Sequence, residues 1–214
     1  MDDTAFAAVT GVSVLSVAGG SDVALGSSAK AAGIQTVIGG AGSDTVTQSA
    51  GASSLRIDLS AGTNNFVVVA NGLLAASDTL IGGNGVSTLE VDGASVSDTS
   101  VANASGFKVL SVASGAAVTL GSAVAQSGIS TLTGAGNISV NQTAADSLGL
   151  YIDGTNGTAN SVTVSSAAQL SHDTLAGSGA DTLVVSQGAV TDAAFANVSG
   201  QGVLSIAGGV TVSI

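Results

Sequence analysis

The chain has no cysteine and no proline. Without cysteine there is no disulfide framework and no thiolate metal site. With no proline, the corners fall to Gly, Ser, Thr, Asn and Asp. Aromatic residues are 2% of the 214 and charged residues 8%. The only cations are Lys30, Arg56 and Lys108, too few for the basic stripe a phosphate backbone needs. The same scarcity excludes attraction to an anionic membrane surface. No apolar run reaches the roughly 18 residues of a membrane span, and the longest patch, Phe66 to Ala70, is strand-sized. No secretory signal opens the chain. It starts at a repeat boundary and stops partway into a further copy, so it is expected to be an excerpt of a longer secreted protein.

Glycine, by contrast, occurs 31 times, about twice average usage. The apolar share is 45%, carried mainly by Val, Ala, Leu and Ile, which is not a disordered composition. It describes a narrow core of small and branched side chains. Fourteen acids, thirteen Asp and Glu90, set a net charge of −11. Such a surface fits an external, calcium-rich setting.

The chain repeats itself at long period. Residues 2–18, 97–113 and 191–207 align, with Gly11, Gly106 and Gly200 equivalent at spacings of 95 (106 − 11) and 94 (200 − 106). This predicts repeat 1 over 1–96, repeat 2 over 97–190 and a partial third over 191–214, forming one body. A long repeat without a catalytic signature points to a stacked scaffold.

Within each repeat, period-2 alternation marks strands. Leu55, Ile57 and Leu59 alternate with Arg56 and Asp58, Leu89 and Val91 with Glu90 and Asp92. Leu148, Leu150 and Ile152 follow the same rule, as do Val162 and Val164, and Val210, Val212 and Ile214. Strands are expected near 14, 24, 37, 46, 57, 67, 80 and 89, then near 110, 119, 132, 140, 150, 163, 175 and 183. This spacing also suits a β-sandwich, but a fixed long repeat favours an all-β, right-handed parallel β-solenoid with short helical turns at its corners. Each coil would hold two strands in roughly 20–24 residues or three in about 30. The helical turns are expected after Asp3, Asp98 and Asp192, each as an N-cap, and over 27–32 and 122–127 before Gly33 and Gly128. Phe6, Val101 and Phe195 are expected to plug the core beside them.

The sharpest motif is Gly39-Gly40-Ala41-Gly42-Ser43-Asp44-Thr45-Val46, which fits the G-G-x-G-x-D-x-U pattern of calcium-binding β-rolls. Gly177, Gly179 and Asp181 keep most of it, residues 82–87 have lost the Asp, and 134–138 are further eroded. Two readings follow. The glycines and Asp44 or Asp181 close an oxygen cage around calcium, or each Asp bonds its own turn. No second nonapeptide follows Thr47, as consecutive calcium sites would require.

On these residues, with TDAAFANVSG, VLSVA and VTLGS, the chain resembles the RTX repeat proteins, which are type I-secreted bacterial toxins, adhesins and surface-layer proteins. More broadly it is similar to β-strand-repeat surface proteins of Gram-negative bacteria. The resemblance implies an elongated, secreted, cell-surface or matrix protein. The expected role is a structural, non-catalytic module of a surface layer, adhesin stalk or self-assembling filament. Its partner would be itself, head to tail or in a lattice. The alternative is a calcium-dependent binding or adhesion module.

Other chemistries find little footing. His172, beside Asp173, sits in the slot equivalent to Ser77-Asp78 and reads as an exposed corner. No serine lies in a G-x-S-x-G elbow. Arg56 and Asp58 read as a strand-surface ion pair, not as a polysaccharide-cleaving cluster. Binding a cell-surface polysaccharide would rest on Tyr151, the one outward aromatic. Ice binding needs a rank of Thr, whereas Thr45 and Thr47, or Thr131 and Thr133, are isolated pairs and outward Thr is simply a good strand residue.

Overall fold

A computed structural model describes residues 1–51, 54–93, 95–143 and 149–213. Leu148 and Ile214, two of the expected alternating residues, lie outside them. The architecture is mostly β, built from parallel strands with three short α-helices. Backbone proximity divides it into two units. One is Met1–Gly93 with Thr99–Leu110 and Gln126–Ile129, the other Ala94–Asp98 with Ser111–Ala125 and Ser130–Ile214.

In the first unit the chain alternates between two ladders. Strands β1 (Val14–Ser16), β2 (Asp22–Leu25), β3 (Thr36–Ile38), β4 (Thr45–Gln48), β5 (Arg56–Asp58), β6 (Phe66–Ala70), β7 (Thr79–Ile81) and β8 (Thr88–Asp92) follow in order. Odd strands pair in parallel with odd ones and even with even. Val23 faces Val46, Val46 faces Val67, and Val67 faces Leu89. The steps are therefore 23, 21 and 22 residues (46 − 23, 67 − 46, 89 − 67), the shorter of the two coil lengths expected. Like lies over like, so Val37, Ile57 and Leu80 form one buried apolar column and Val46, Val67 and Leu89 another. β-Branched side chains suit this half-buried pleat.

The second unit repeats the plan. Its strands are β9 (Ser95–Val96), β12 (Ala117–Leu120), β13 (Thr131–Gly134), β14 (Ser139–Gln142), β15 (Tyr151–Asp153), β16 (Ser161–Val164), β17 (Thr174–Val185), β18 (Ala189–Thr191), β19 (Val198–Ile206) and β20 (Thr211–Ser213). β10 (Ala104–Ser105) pairs β7 in the first unit, and β11 (Val109–Val112) straddles the division. Val96, Val118, Val140 and Val162 succeed one another at 22-residue steps (118 − 96, 140 − 118, 162 − 140). The strands expected near 175 and 183 are one 12-residue strand, β17. Its two ends join separate ladders, Leu175 facing Ile152 and Leu183 facing Val162.

Helices α1 (Ser27–Ala32) and α2 (Ser122–Ser127) occupy the expected positions. Gly33 ends α1 at φ 95°, a left-handed conformation that suits glycine, and its N–H returns to the carbonyls of Ala29 and Lys30. α3 (Ala167–Leu170) was not expected. Its signal is Gln169 three residues after Ser166, whose side-chain oxygen accepts the N–H groups of Ser165 and Ser166. Residues Asp3–Phe6, Asp98–Val101 and Asp192–Phe195 form 3-10 turns. Phe6 and Val101 are buried as expected, but Phe195 is only half-buried.

Candidate functional site

The glycine corners and acidic residues singled out in the sequence separate into three structural devices. The first contains Asp44. Its Oδ1 accepts the N–H of Ser21 at 2.9 Å, and its own N–H donates to Asn65 Oδ1 at 2.7 Å. The N–H of Asn65 donates in turn to Ser87 Oγ at 3.0 Å. Asn65 Nδ2 also donates to the carbonyls of Leu59 and Gly82. Asp44, Asn65 and Ser87 are all buried and lie 21 and 22 residues apart (65 − 44, 87 − 65), one per rung. They form an internal polar ladder that satisfies corner amides the sheet leaves without partners.

Asp181 belongs to the matching ladder of the second unit. Its Oδ1 accepts from the N–H of Asn160 at 2.7 Å and from Asn160 Nδ2 at 3.0 Å, while Oδ2 accepts the N–H of Ser178 at 2.8 Å. Asn160 Oδ1 accepts the N–H of Ile138 at 2.9 Å. The fragments that looked like one motif are thus alternate rungs of two ladders, with Asn65 and Asn160 on the rungs between. The turn reading holds within the turn for the Ser178 bond, but the remaining bonds run between rungs.

The glycines answer to close approach. A Cβ on Gly40 would lie 2.3 Å from Gly19 N, and one on Gly39 would lie 2.5 Å from Asp44 Oδ2 and 2.7 Å from Leu59 Cδ2. Gly42 and Gly179 adopt φ of 114° and 96°. A Cβ on Gly177 would meet Asp181 Oδ2 at 2.4 Å. Calcium takes about six to eight oxygens; here Asp44 Oδ1 and both oxygens of Asp181 accept N–H donors, while Asp44 Oδ2 is buried without a partner. Among the described residues no three His, Cys, Asp or Glu side chains converge as a metal group.

The second device corrects the expected role of Asp3 and Asp98. Neither caps its own turn. Asp3 reaches the next rung, where Oδ1 accepts from Gly26 N at 2.7 Å and Ala29 N at 2.8 Å, and Oδ2 from Ser28 N at 3.0 Å. It thereby caps α1 from 23 residues upstream (26 − 3). Asp98 caps α2 in the same way, accepting from Gly121, Ala123 and Val124. The amides of Ala29, Ser28 and Gly26 hold the Asp3 carboxyl below the ordinary aspartate range. A carboxylate depressed on folding adds stability above its unfolded pKa, and that stability is lost as pH falls through the folded value. Asp58 is likewise lowered, first by the Ser60 hydroxyl, then by the Ser60 amide and Arg56. Thermal melts are therefore expected to show a steady decline in stability below about pH 4. Asp98→Ala should lower unfolding free energy by about 1 kcal/mol, read by urea denaturation.

The third device is a pair of buried carboxylates that sequence inspection placed at an exposed corner. Asp78 accepts the N–H groups of Leu55 and Ala75, and Asp173 those of Leu150 and Gln142 Nε2. Both are buried, while His172 is exposed. Burial requires these partners, because an unpaired carboxylate in the core is costly.

On the surface, Arg56 and Asp58 form the expected exposed ion pair at 2.6 Å. Tyr151 is 38% exposed. Among the described residues no helix is long and apolar enough to cross a membrane. No protein-family model, curated protein or solved structure matches the chain.

Proposed function

We propose that the chain is a structural, non-catalytic module of a secreted bacterial cell-surface or extracellular-matrix protein, wound as a right-handed β-solenoid. The observation that carries this reading is the narrow range of the step along the parallel ladders. Rungs of 20–24 residues stack Val over Val and Leu over Ile, and the polar residues inside serve to bond one rung to the next. Such a body gains length rung by rung, which suits a stalk or lattice arm. The acidic groups with unusual surroundings are spent on holding backbone amides, which favours scaffold over catalyst. A parallel ladder of this kind pairs with another copy wherever an edge is left open, which is compatible with self-association. Negative-stain electron microscopy of the concentrated protein tests the reading. Linear or lattice assemblies are expected, and monodisperse particles at every concentration would overturn it.

One observation favours the calcium-dependent alternative. Asp44 Oδ2 is buried and has no hydrogen-bond partner. Circular dichroism separates the two readings. The scaffold reading expects the same β spectrum and melting temperature in EDTA and in millimolar calcium. A fold that forms only with calcium would establish the alternative.

A further inference from the structure

The sequence holds three Asn-Gly pairs, Asn71-Gly72, Asn84-Gly85 and Asn156-Gly157. Glycine has no Cβ to shield its backbone nitrogen, so an asparagine before it is prone to close a ring through the side-chain carboxamide. Closure needs the glycine nitrogen free as nucleophile and the Asn Nδ2 free as leaving group. The fold treats the three pairs differently. At Asn156 both atoms are held. Gly157 is buried and its N–H donates to the Gly154 carbonyl at 3.0 Å, while Asn156 Nδ2 donates to the Gly134 carbonyl at 3.1 Å. At Asn71 the side chain lies against the next rung, where a Cβ on Gly93 would come 3.0 Å from Asn71 Oδ1. This pair also forms the middle of a turn, closed by the Leu73 N–H donating to the Ala70 carbonyl at 3.1 Å. At Asn84 the backbone is tied and the reacting atoms are not. Asn84 N–H donates to the Gly62 carbonyl at 3.1 Å, and the Asn84 carbonyl accepts the N–H of Asn64 at 3.1 Å. Val86 N–H donates to Asn64 Oδ1 at 2.8 Å. Between these anchors Asn84 and Gly85 are exposed. Neither Asn84 Nδ2 nor the Gly85 N–H has a hydrogen-bond partner among the described residues.

We propose that Asn84 is a site of spontaneous modification, closing onto Gly85 as a succinimide and reopening as aspartate or isoaspartate. Gly85 N gives up its proton to solvent and attacks Asn84 Cγ. The Cγ–Nδ2 bond breaks, and the nitrogen takes up a proton and leaves as ammonia. Water then opens the ring. Cleavage between Gly85 N and Cγ yields aspartate. Cleavage between Gly85 N and the backbone carbonyl carbon of Asn84 yields isoaspartate. The net change is amide and water to carboxylic acid and ammonia, and it needs no oxidant or cofactor. The two products affect the stack differently. Aspartate keeps the backbone and adds a charge to an exposed corner. Isoaspartate routes the chain through Cβ and Cγ, so the groups at position 84 no longer keep the spacing that meets Gly62 and Asn64. The same corner supports the internal polar ladder, because the Gly82 carbonyl accepts from Asn65 Nδ2 and Ser87 Oγ. Isoaspartate at position 84 therefore loosens the rung from its outer side.

Peptide mapping by mass spectrometry provides the test. The folded chain is held in mildly alkaline buffer below its melting temperature and digested at intervals, and the acid products at positions 71, 84 and 156 are followed. Asn84 is expected to react at least about tenfold faster than Asn156, whose pair must first open locally, and faster than Asn71. In urea the three pairs should react at similar rates, since the protection belongs to the fold. Asn84→Gln should remove the early product without changing the melting curve, because the longer side chain closes its ring slowly. Asn84→Asp should melt as the parent does, whereas the isoaspartyl fraction, separated chromatographically, should melt lower. A folded chain in which Asn71 or Asn156 reacts as fast as Asn84 would overturn the assignment. So would a folded chain whose Asn84 stays intact while the urea-treated chain reacts there.

Discussion

Gly19→Ala is expected to lower the unfolding free energy of the chain by about 3 kcal/mol or more, beyond the ordinary cost of overpacking. An alanine Cβ at this corner would lie 1.2 Å from the carbonyl oxygen of Ala41 and 2.2 Å from its carbonyl carbon. The obstacle is backbone, so no rotamer change relieves it. The corner between β1 and β2 must lift away from the corner between β3 and β4. That movement strains the bond from Ser21 N to Asp44 Oδ1 two residues on. The control is Gly208→Ala, the same substitution at the repeat-equivalent glycine, where nothing lies within 4 Å. It should change stability by under about 0.5 kcal/mol. Urea denaturation of the two variants gives the contrast directly.

The second unit solves the same corner the other way round. Ser114 stands where Gly19 does, and Gly136 stands where Ala41 does. A Cβ on Gly136 would lie 2.4 Å from Ser114 Oγ. One side of each corner therefore lacks a side chain, and which side is free to vary. Adding Ala41→Gly to Gly19→Ser should recover part of the stability lost by the single substitution, because glycine lets the opposing carbonyl turn aside.

The strand positions were legible because they depend on local alternation. All sixteen expected centres fall in or beside strands, from Val14–Ser16 to the far end of Thr174–Val185. Helices α1 and α2 were legible for a similar local reason, a glycine able to turn left-handed directly after a short Ala/Ser run. Partners across rungs were not legible. Asp3 finds its amides at 26, 28 and 29, and Asp44 finds Ser21 and Asn65, at separations set by a step that varies from 20 to 24 residues. Residue type announces that an Asp will accept a hydrogen bond, but only register says from whom. The same blindness put Asp78 and Asp173 on the surface. Their neighbours Ser77 and His172 are exposed, and alternation cannot tell which member of a polar corner turns inward. The long repeat did carry one clue, since Asn65 and Asn160 are 95 residues apart (160 − 65) and each stands just before a strand.

Asn65→Leu should be the most damaging polar-to-apolar change in the first unit. The substitution nearly conserves volume, so packing alone predicts little loss. The hydrogen bonds decide otherwise. Asn65 Oδ1 receives the N–H of Asp44, and Nδ2 serves the carbonyls of Leu59 and Gly82. Leucine leaves the buried Asp44 N–H without a partner, at about 1–3 kcal/mol, and takes one donor from each of the Leu59 and Gly82 carbonyls, which keep the Gly62 N–H and Ser87 Oγ, at about 0.5–1.5 kcal/mol each. A loss of roughly 2–5 kcal/mol is expected by urea denaturation. Asn160→Leu tests the generality, since Asn160 serves Ile138 N–H, the carbonyl of Gly154 and Asp181 Oδ1. Asn65→Asp distinguishes lost bonding from lost shape. The carboxylate still accepts from Asp44 N–H, but its second oxygen then faces two carbonyls. Folding should raise the pKa of this new acid, because only the protonated form can donate. A raised pKa means stability that is present below the unfolded value and lost as pH rises through the folded one. The variant should therefore gain stability relative to the parent on acidification, opposite in sign to the parent's own decline through Asp3 and Asp58. Equal pH profiles for parent and variant would show that Asn65 fills space and nothing more.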